Sequence, residues 1–596
     1  MKTKILTFDS MYIIQPIRKV YLALINTILN EKNSRHSRLI LYRLDKDNVF
    51  ISDYRNISGM IVGTHQVHID ALSIKFYRYI EKSGSCDTLS INNVPLYQLY
   101  PRQIKLKLAG VLKCALRIRN VSNDSKENIE IITDKQTVAI IKVAFLFLDY
   151  TPTNIIWKTN GLLTSCITIN SFIMRFAAIV KMYISPSKYP NEYFYKHVNS
   201  NAPTVLITAP IIRPKDFFSL YVENFNSQFN IILYSLKSLD TIPNIYKKIN
   251  IERATGVLQG IFNIKNLCWS SDSYIADIIL IFSRHADLSM SVDVVNSIFT
   301  NQIDAHISRL QTNAIDTHLA VEARRRGIFI LGDIEEEIFY CDSAVIPSMS
   351  ENTESVKFAL ANGGKVAYKN SNSMMKHRFM NFNEKNIYYL HDLLGVDRRK
   401  KIIFYASDPS KEESQRYLTE KFLINYFSNE KQFILAIKTH MQDNGNVTNN
   451  AYLDTTRPSN VILIGDITQG NKIISKKFNV FKDFDFNAAV ASSDGFLTAS
   501  SSTILQALVL GVKNGIVDIF NNGFYDYLIN HKATMLINSE QSMRYFLESK
   551  KLDISDDTLS YCGLKNYNEK FNIGAHLLKC MKEFDRNNEN KQRKGK

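Results

Sequence analysis

In the C-terminal half of the chain, apolar runs of four or five residues recur at 402–405, 433–437, 461–464, 496–499, 515–518 and 534–537, with helical patterns between them. Short apolar runs alternating with helical periodicity predict the strands of a parallel sheet. Six such strand–helix units over about 145 residues predict a doubly wound, Rossmann-like domain. Within it, residues 494–518 read as a strand, a turn of four hydroxyl residues (Ser500, Ser501, Ser502 and Thr503), a helix closed by Gly511, and the next strand. Hydroxyls at a helix start cap its free amides, and those amides, with the helix dipole, favour an anion. One cap needs only one hydroxyl, so four argue for a ligand.

The N-terminal part alternates less cleanly. Strands are predicted at 5–8, 38–42, 59–62, 129–133, 154–157, 204–208, 230–236, 343–347 and 365–368, with helices at 17–29 and 135–148. Residues 252–326 read as helical almost throughout, closing on Arg324, Arg325 and Arg326, a solvated helix end or a phosphate contact. The run 164–184, with Phe172, Met174, Phe176, Met182 and Tyr183, predicts an apolar helix. Burial against a domain is the expectation for it. The alternative is a membrane interface with Arg175 and Lys181 at the headgroups. Residues 185–203, with three prolines, read as a linker, and the polar stretch 370–398 marks a domain boundary.

The divisions are then 1–200, an α/β region, and 201–375, a Rossmann-like region with a helical insertion at about 252–326 that forms one unit with it. A linker at 376–400, the second Rossmann-like domain at 401–550, and a C-terminal helix with a basic tail at 551–596 follow. A helix is expected at 567–584 and disorder at 585–596.

Composition narrows the partners. The 596 residues, 45% hydrophobic and 22% charged, carry a net charge of +16. Nucleic acid, an anionic membrane surface or phosphorylated substrates would each suit that balance, as would the Asn, Ile and Lys bias of an AT-rich genome. No RNP, KH or helix-turn-helix signature is present and the basic residues are spread rather than striped, so no nucleic-acid partner is expected. The seven cysteines stand singly, without CxxC or metal-ligand spacing, as in a reducing cytoplasm. Asp9 interrupts the first apolar run, against a signal peptide, and the longest apolar stretch, 162–184, carries Arg175 and Lys181, against a membrane span.

Polar residues follow four strands of the second domain: Ser407 through Ser410, then Lys438-Thr439-His440, Gly465-Asp466, and the hydroxyl tract. Carboxyl ends of parallel strands share one edge, so a lysine, a histidine and a hydroxyl-lined helix start converge there as a diphosphate site. No GxxxxGK[ST] loop, GxGxxG fingerprint or GxSxG elbow is present, which removes P-loop, dinucleotide and serine-hydrolase chemistry. Nucleotide-sugar chemistry remains. Earlier in the chain, Asp9, His65 and Glu351 are the candidates for a catalytic base, each at a strand end or loop.

The second domain resembles the donor-binding domain of bacterial GT-B glycosyltransferases of surface carbohydrate (capsule and lipopolysaccharide) synthesis. The resemblance lies with the branch of sialic acid and Kdo transferases, CDP-glycerol glycerophosphotransferases and UDP-N-acetylglucosamine 2-epimerases. Lys438-Thr439-His440 is similar to the branch's K-x-H-P motif and Ser500-Ser501-Ser502-Thr503 to its SS/ST motif, both of which bind donor phosphates. Gln506-Ala507-Leu508 with Gly511 resembles the E-A-L-x-x-G segment that holds the donor ribose. Met441 stands where proline is usual, and Gln506, a neutral acceptor, where glutamate is usual. The resemblance implies an α/β chain of two Rossmann-like domains facing across a cleft, with an extended N-terminal α/β region and a helical insertion. It implies a metal-independent, cytoplasmic glycosyltransferase without a cofactor, using a nucleotide-sugar donor and a glycan or lipid-linked acceptor, and peripheral to the inner membrane surface. Ser407, Lys438, His440, Ser500, Ser501, Ser502, Thr503 and Gln506 would hold the donor. A nucleotide-sugar epimerase on the same fold, or a non-catalytic nucleotide-sugar-binding subunit of a polysaccharide assembly complex, are the alternatives.

Overall fold

The computed structural model describes residues 3–8, 17, 20, 23–24, 38–43, 66–82, 89–91, 94–124, 128–184, 190–209, 225, 228–235, 242, 245–252, 258–259, 275–276, 278–279, 285–308, 313–333, 340–345, 365–368, 387–407, 413–439, 445–466, 479–481, 484–501, 503–523, 525–550, 554–555, 558 and 573–594. They form four sheets, one of them of three short strands. A small parallel sheet contains β1 (Thr3–Phe8), β2 (Arg38–Arg43), β3 (Ile129–Thr133) and β4 (Ile155–Thr159), in the order β2-β1-β3-β4. An eight-stranded sheet contains β5 (Glu192–Lys196), β6 (Thr204–Ala209), β7 (Asn230–Ser235), β8 (Lys247–Asn250), β9 (Ala305–Ser308), β10 (Phe329–Asp333), β11 (Ser343–Val345) and β12 (Lys365–Tyr368). Its order is β8-β5-β7-β6-β9-β10-β11-β12, with β5 antiparallel to both of its neighbours and the remaining pairs parallel.

The third sheet is wholly parallel. It contains β13 (Lys401–Ala406), β14 (Phe433–Lys438), β15 (Val461–Asp466), β16 (Asn479–Phe481), β17 (Gly495–Thr498), β18 (Asn514–Val517) and β19 (Met535–Ile537), in the order β16-β15-β14-β13-β17-β18-β19. Side chains alternate across a strand. Accordingly Ile402, Phe404, Ala436 and Phe496 enter one core, and Ile403, Tyr405, Leu435 and Leu497 the other. Both faces are covered by helices, which explains why these strands read as continuous apolar runs rather than alternating ones. Each fully buried Ile or Phe contributes about 1.5–3 kcal/mol to this packing.

The eight-stranded sheet is sandwiched in a different way. One face, with Leu206, Ile232 and Ile330, shares a continuous core with Ile129, Ile131 and Ile140 of the N-terminal region. The other, with Val205, Ile207, Ile307 and Leu331, packs on Leu577 and Cys580 of the C-terminal helix Ile573–Lys594. The Phe584 ring meets Phe329 edge-on at 5.5 Å. The last helix thus returns from the second domain to the eight-stranded sheet. It runs to Lys594, where the sequence reading expects a disordered tail from 585: its apolar stripe anchors the first turns and the polar residues continue the same helix.

Three further expectations are corrected. The helical reading of 252–326 hides β9, a central strand, because His306 and Ser308 break its apolar pattern. Each finds a partner inside the fold: Thr208 Oγ1 lies 2.9 Å from His306 Nε2, although His306 Nδ1 has no partner among the described residues, and Ser308 Oγ donates to Asp316 Oδ1 at 3.3 Å. The strands β5, β8, β10 and β16 are additional to those predicted, and β5 occupies part of 185–203, which reads as a linker in the sequence. The helix Gly161–Ile184, expected to be buried, exposes Leu162, Ile169, Phe172, Ile173, Phe176 and Val180. Arg325 and Arg326 are a solvated helix end, both paired with Glu322. The predicted strand at 59–62 lies outside the described residues, as does most of the predicted helix at 17–29, of which Ile17, Val20, Ala23 and Leu24 are helical.

Two buried histidines set an acid limit. Burial pushes His306 down to about 3 and His318, whose Nδ1 lies 3.0 Å from Ser291 Oγ, down to about 4. Both titrate near 6.5 when unfolded, so below that pH the unfolded chain binds more protons and stability falls as pH falls. Each histidine is expected to remove roughly 1 kcal/mol per pH unit between about 6.5 and its folded value. Urea midpoints at pH 7 and pH 5.5 check this; a midpoint unchanged or raised at the lower pH would contradict it.

Candidate functional site

In the third sheet the chain runs outward from β13 through β14, β15 and β16, then returns to the other side of β13 as β17. That reversal leaves a crevice beyond the carboxyl ends of β13 and β17, where open α/β sheets take ligands. The two strand ends are tied directly, since Thr498 Oγ1 donates to the Ala406 carbonyl at 3.0 Å. Residues 499–503 follow β17 and residue 407 follows β13, while Lys438 ends the adjacent β14. The described residues of those loops, Ser407, Lys438, Thr439, Ser500, Ser501 and Thr503, therefore fall on one edge of the sheet.

Lys438 is buried, with its Nζ 5.4 Å from the centroid of the Phe484 ring and 3.3 Å from the Thr439 carbonyl. The Thr439 amide donates to Ile464 at 3.0 Å, which fixes the turn after β14 to β15.

The hydroxyl tract is shaped by its own hydrogen bonds. Ser501 Oγ accepts from Thr503 Oγ1 at 3.0 Å and from the Thr503 amide at 3.4 Å, which leaves its own proton to give. The following helix, Ile504–Val509, has Thr503 as N-cap without a side-chain cap bond. It ends at Gly511, whose φ of +63° allows the Val512 amide to reach back to the Ala507 carbonyl at 2.9 Å. Gln506 is buried, and its Oε1 has no hydrogen-bond partner among the described residues.

Ser407 plays a different part from the one expected. Its hydroxyl donates to Glu420 Oε1 at 2.5 Å and its amide to the Lys438 carbonyl at 2.9 Å, so both of its donors are committed within the fold. Glu420 in turn lies 3.5 Å from Arg416 Nε, both on the helix Glu413–Ser428 and both buried. With both donors committed, Ser407 has no proton of its own to give a ligand. Of the remaining candidates, His440, Ser502, Asp9, His65 and Glu351 lie outside the described residues.

A further tie to this edge appears only in the structure. After β18, the Asp518 carboxylate accepts from the amides of Asn522 and Gly523, each at 2.8 Å, and Tyr525 Oη donates to the Ser500 carbonyl at 3.2 Å. Asn522 Nδ2 reaches Gln415 Oε1 at 3.2 Å, so this loop joins the hydroxyl tract to the helix behind Ser407. Asn521-Asn522-Gly523 is a turn signal in the sequence, but its destination is not. Among the described residues no three His, Cys, Asp or Glu side chains are grouped as metal ligands.

No protein-family model matches the chain, and no curated protein matches it significantly. Solved structures similar to it include a UDP-N-acetylglucosamine 2-epimerase from Rickettsia bellii, at 13% identity and a TM-score of 0.39, covering 65% of this chain and 98% of that one. A UDP-GlcNAc 2-epimerase from Neisseria meningitidis bound to UDP-GlcNAc shares 9% identity at a TM-score of 0.36, covering 61% and 94%. A mutant O-GlcNAc transferase from Thermobaculum terrenum shares 9% at 0.35, covering 86% and 98%. Likenesses this distant add nothing to what the strand order of the sheets establishes.

Proposed function

We propose that this chain is a nucleotide-sugar-using enzyme of the GT-B kind, a glycosyltransferase that moves a sugar onto a glycan or lipid-linked acceptor of the cell surface. The observation that carries the reading is the convergence of buried Lys438 and the hydroxyl tract at 500–503 on the switch-point edge of the third sheet. A lysine cation, hydroxyl donors and backbone amides on one edge suit a diphosphate or monophosphate leaving group without a metal. His440, two residues beyond Lys438, and Ser502 complete the phosphate set in this reading. The buried Gln506 carbonyl oxygen is the acceptor for a donor ribose hydroxyl. Asp9, His65 and Glu351 remain the candidates for the base that activates an acceptor hydroxyl, and the reaction takes place on the cytoplasmic side.

Incubation with UDP-, CDP- and CMP-sugars, with and without acceptor glycans, tests the reading. Slow donor hydrolysis without acceptor, accelerated by an acceptor, is the expected result. Epimerisation of the donor would replace transfer with the epimerase reading. Binding without turnover would make the chain a non-catalytic subunit.

A further inference from the structure

The helix Gly161–Ile184 is inverted relative to an ordinary surface helix. Thr164, Asn170, Ser171 and Arg175 are buried, together with Leu163 and Ile167. The side it turns outward carries Leu162, Ile169, Phe172, Ile173, Phe176 and Val180, each between 37% and 62% exposed. At about 100° per residue those six positions fall within roughly one 100° arc. They make a single stripe, not scattered surface apolars. A soluble helix puts charge on this side.

Along the sequence the charge near this helix is positive. From 151 to 191 the chain contains Lys158, Arg175, Lys181 and Lys188 and no Asp or Glu, with Arg175 itself on the buried side. Lys158, just before the helix, is exposed and paired with Glu130. The whole chain carries +16. On the neighbouring helix Lys135–Phe147, Leu146 is also exposed, as is Ile156 on β4.

From these features we infer that the outward face of the helix Gly161–Ile184 is a membrane-docking surface, lying in the plane of an anionic lipid leaflet with the Phe172 and Phe176 side chains among the acyl chains. The length of the stripe decides between lipid and a second copy of the chain. From Leu162 to Val180 it spans about 27 Å at ~1.5 Å per residue, and a helix is ~10 Å wide. Roughly 300 Å² of apolar face per protomer is well below the ~800 Å² per partner of a stable protein interface. A lipid surface needs no matching partner, and it suits a long narrow apolar stripe on a chain of net charge +16. Crossing the bilayer is not the mode, because no described helix is long and apolar enough to do so. The inference does not depend on the reaction assigned above, although a lipid-linked acceptor would be met at such a surface.

Sedimentation of the full chain with phosphatidylcholine vesicles, with and without phosphatidylglycerol, tests it. The wild-type protein is expected to sediment with the anionic vesicles, and Phe172→Ser/Phe176→Ser to lose binding by roughly tenfold or more at unchanged melting temperature. A Phe172→Trp variant should show a blue-shifted emission on adding the anionic vesicles. Wild-type protein left in the supernatant, equal binding by the double variant, or equal binding to neutral vesicles would each overturn the inference. So would a wild-type dimer in light scattering that the double variant abolishes, since the face would then belong to a second copy.

Discussion

Lys438→Met is expected to lower the affinity for nucleoside diphosphates by about 10- to 100-fold while leaving the fold intact. A charge-assisted hydrogen bond to a phosphate contributes roughly 1.5–3 kcal/mol, which is that factor in affinity. Methionine retains most of the stem that packs by Phe484 and removes the cation that lies 5.4 Å from that ring. Calorimetric titration with UDP and CMP, alongside thermal melts of both proteins, separates the two effects. Wild-type affinity in the variant would remove Lys438 from the site. A collapse of the melting temperature with no measurable binding would mark the lysine as structural.

The second large effect lies behind the crevice and is one of stability. Glu420→Ala is expected to cost about 3–5 kcal/mol, because it removes the buried carboxylate 3.5 Å from Arg416 Nε and the acceptor of the Ser407 hydroxyl. Glu420→Gln retains an oxygen for Ser407 and should cost less. Replacing Arg416 and Glu420 together by methionine removes both charges and should recover much of the loss, as exchange of a buried ion pair for apolar side chains often does. Urea midpoints for the three variants check the order. A Glu420→Ala protein as stable as the wild type would mean that the pair contributes nothing net.

The parts of this molecule that are legible in sequence are those where one physical cause dominates. Residues 433–437 are apolar because β14 is covered on both sides, and the predicted strand differs from Phe433–Lys438 by a single residue at its end. Gly511 is legible as a helix stop because the left-handed backbone there favours glycine. By contrast, β9 is four residues long and half polar, and only the fold reveals that His306 Nε2 meets Thr208 and Ser308 meets Asp316. The apolarity of the helix Gly161–Ile184 is plain in the sequence, but which side faces outward depends on what its polar residues meet inside. For that reason the burial expectation fails on one face and holds on the other.

The candidate site divides in the same way. Lys438 and the hydroxyl tract are legible because carboxyl ends of parallel strands fall on one edge, a consequence of the alternation itself. The commitment of Ser407 to Glu420 is not legible, since it depends on how the helix Glu413–Ser428 returns over the sheet and brings residues 13 apart together. Nor is the loop from Asp518 to Tyr525, whose contact with Ser500 spans 25 residues. Local residue types bring polar groups to one edge, whereas the hydrogen bonds that tie that edge to its neighbours come from long-range packing.

A crystal structure of the full chain with UDP bound tests the central claim most directly. The account predicts the diphosphate beyond the carboxyl ends of β13 and β17, within hydrogen-bond distance of Lys438 Nζ and of the hydroxyl tract at 500–503, with the ribose toward Gln506. Nucleotide bound at the opposite edge of that sheet, beside Asn460 and Asp494, or on another sheet, would contradict it.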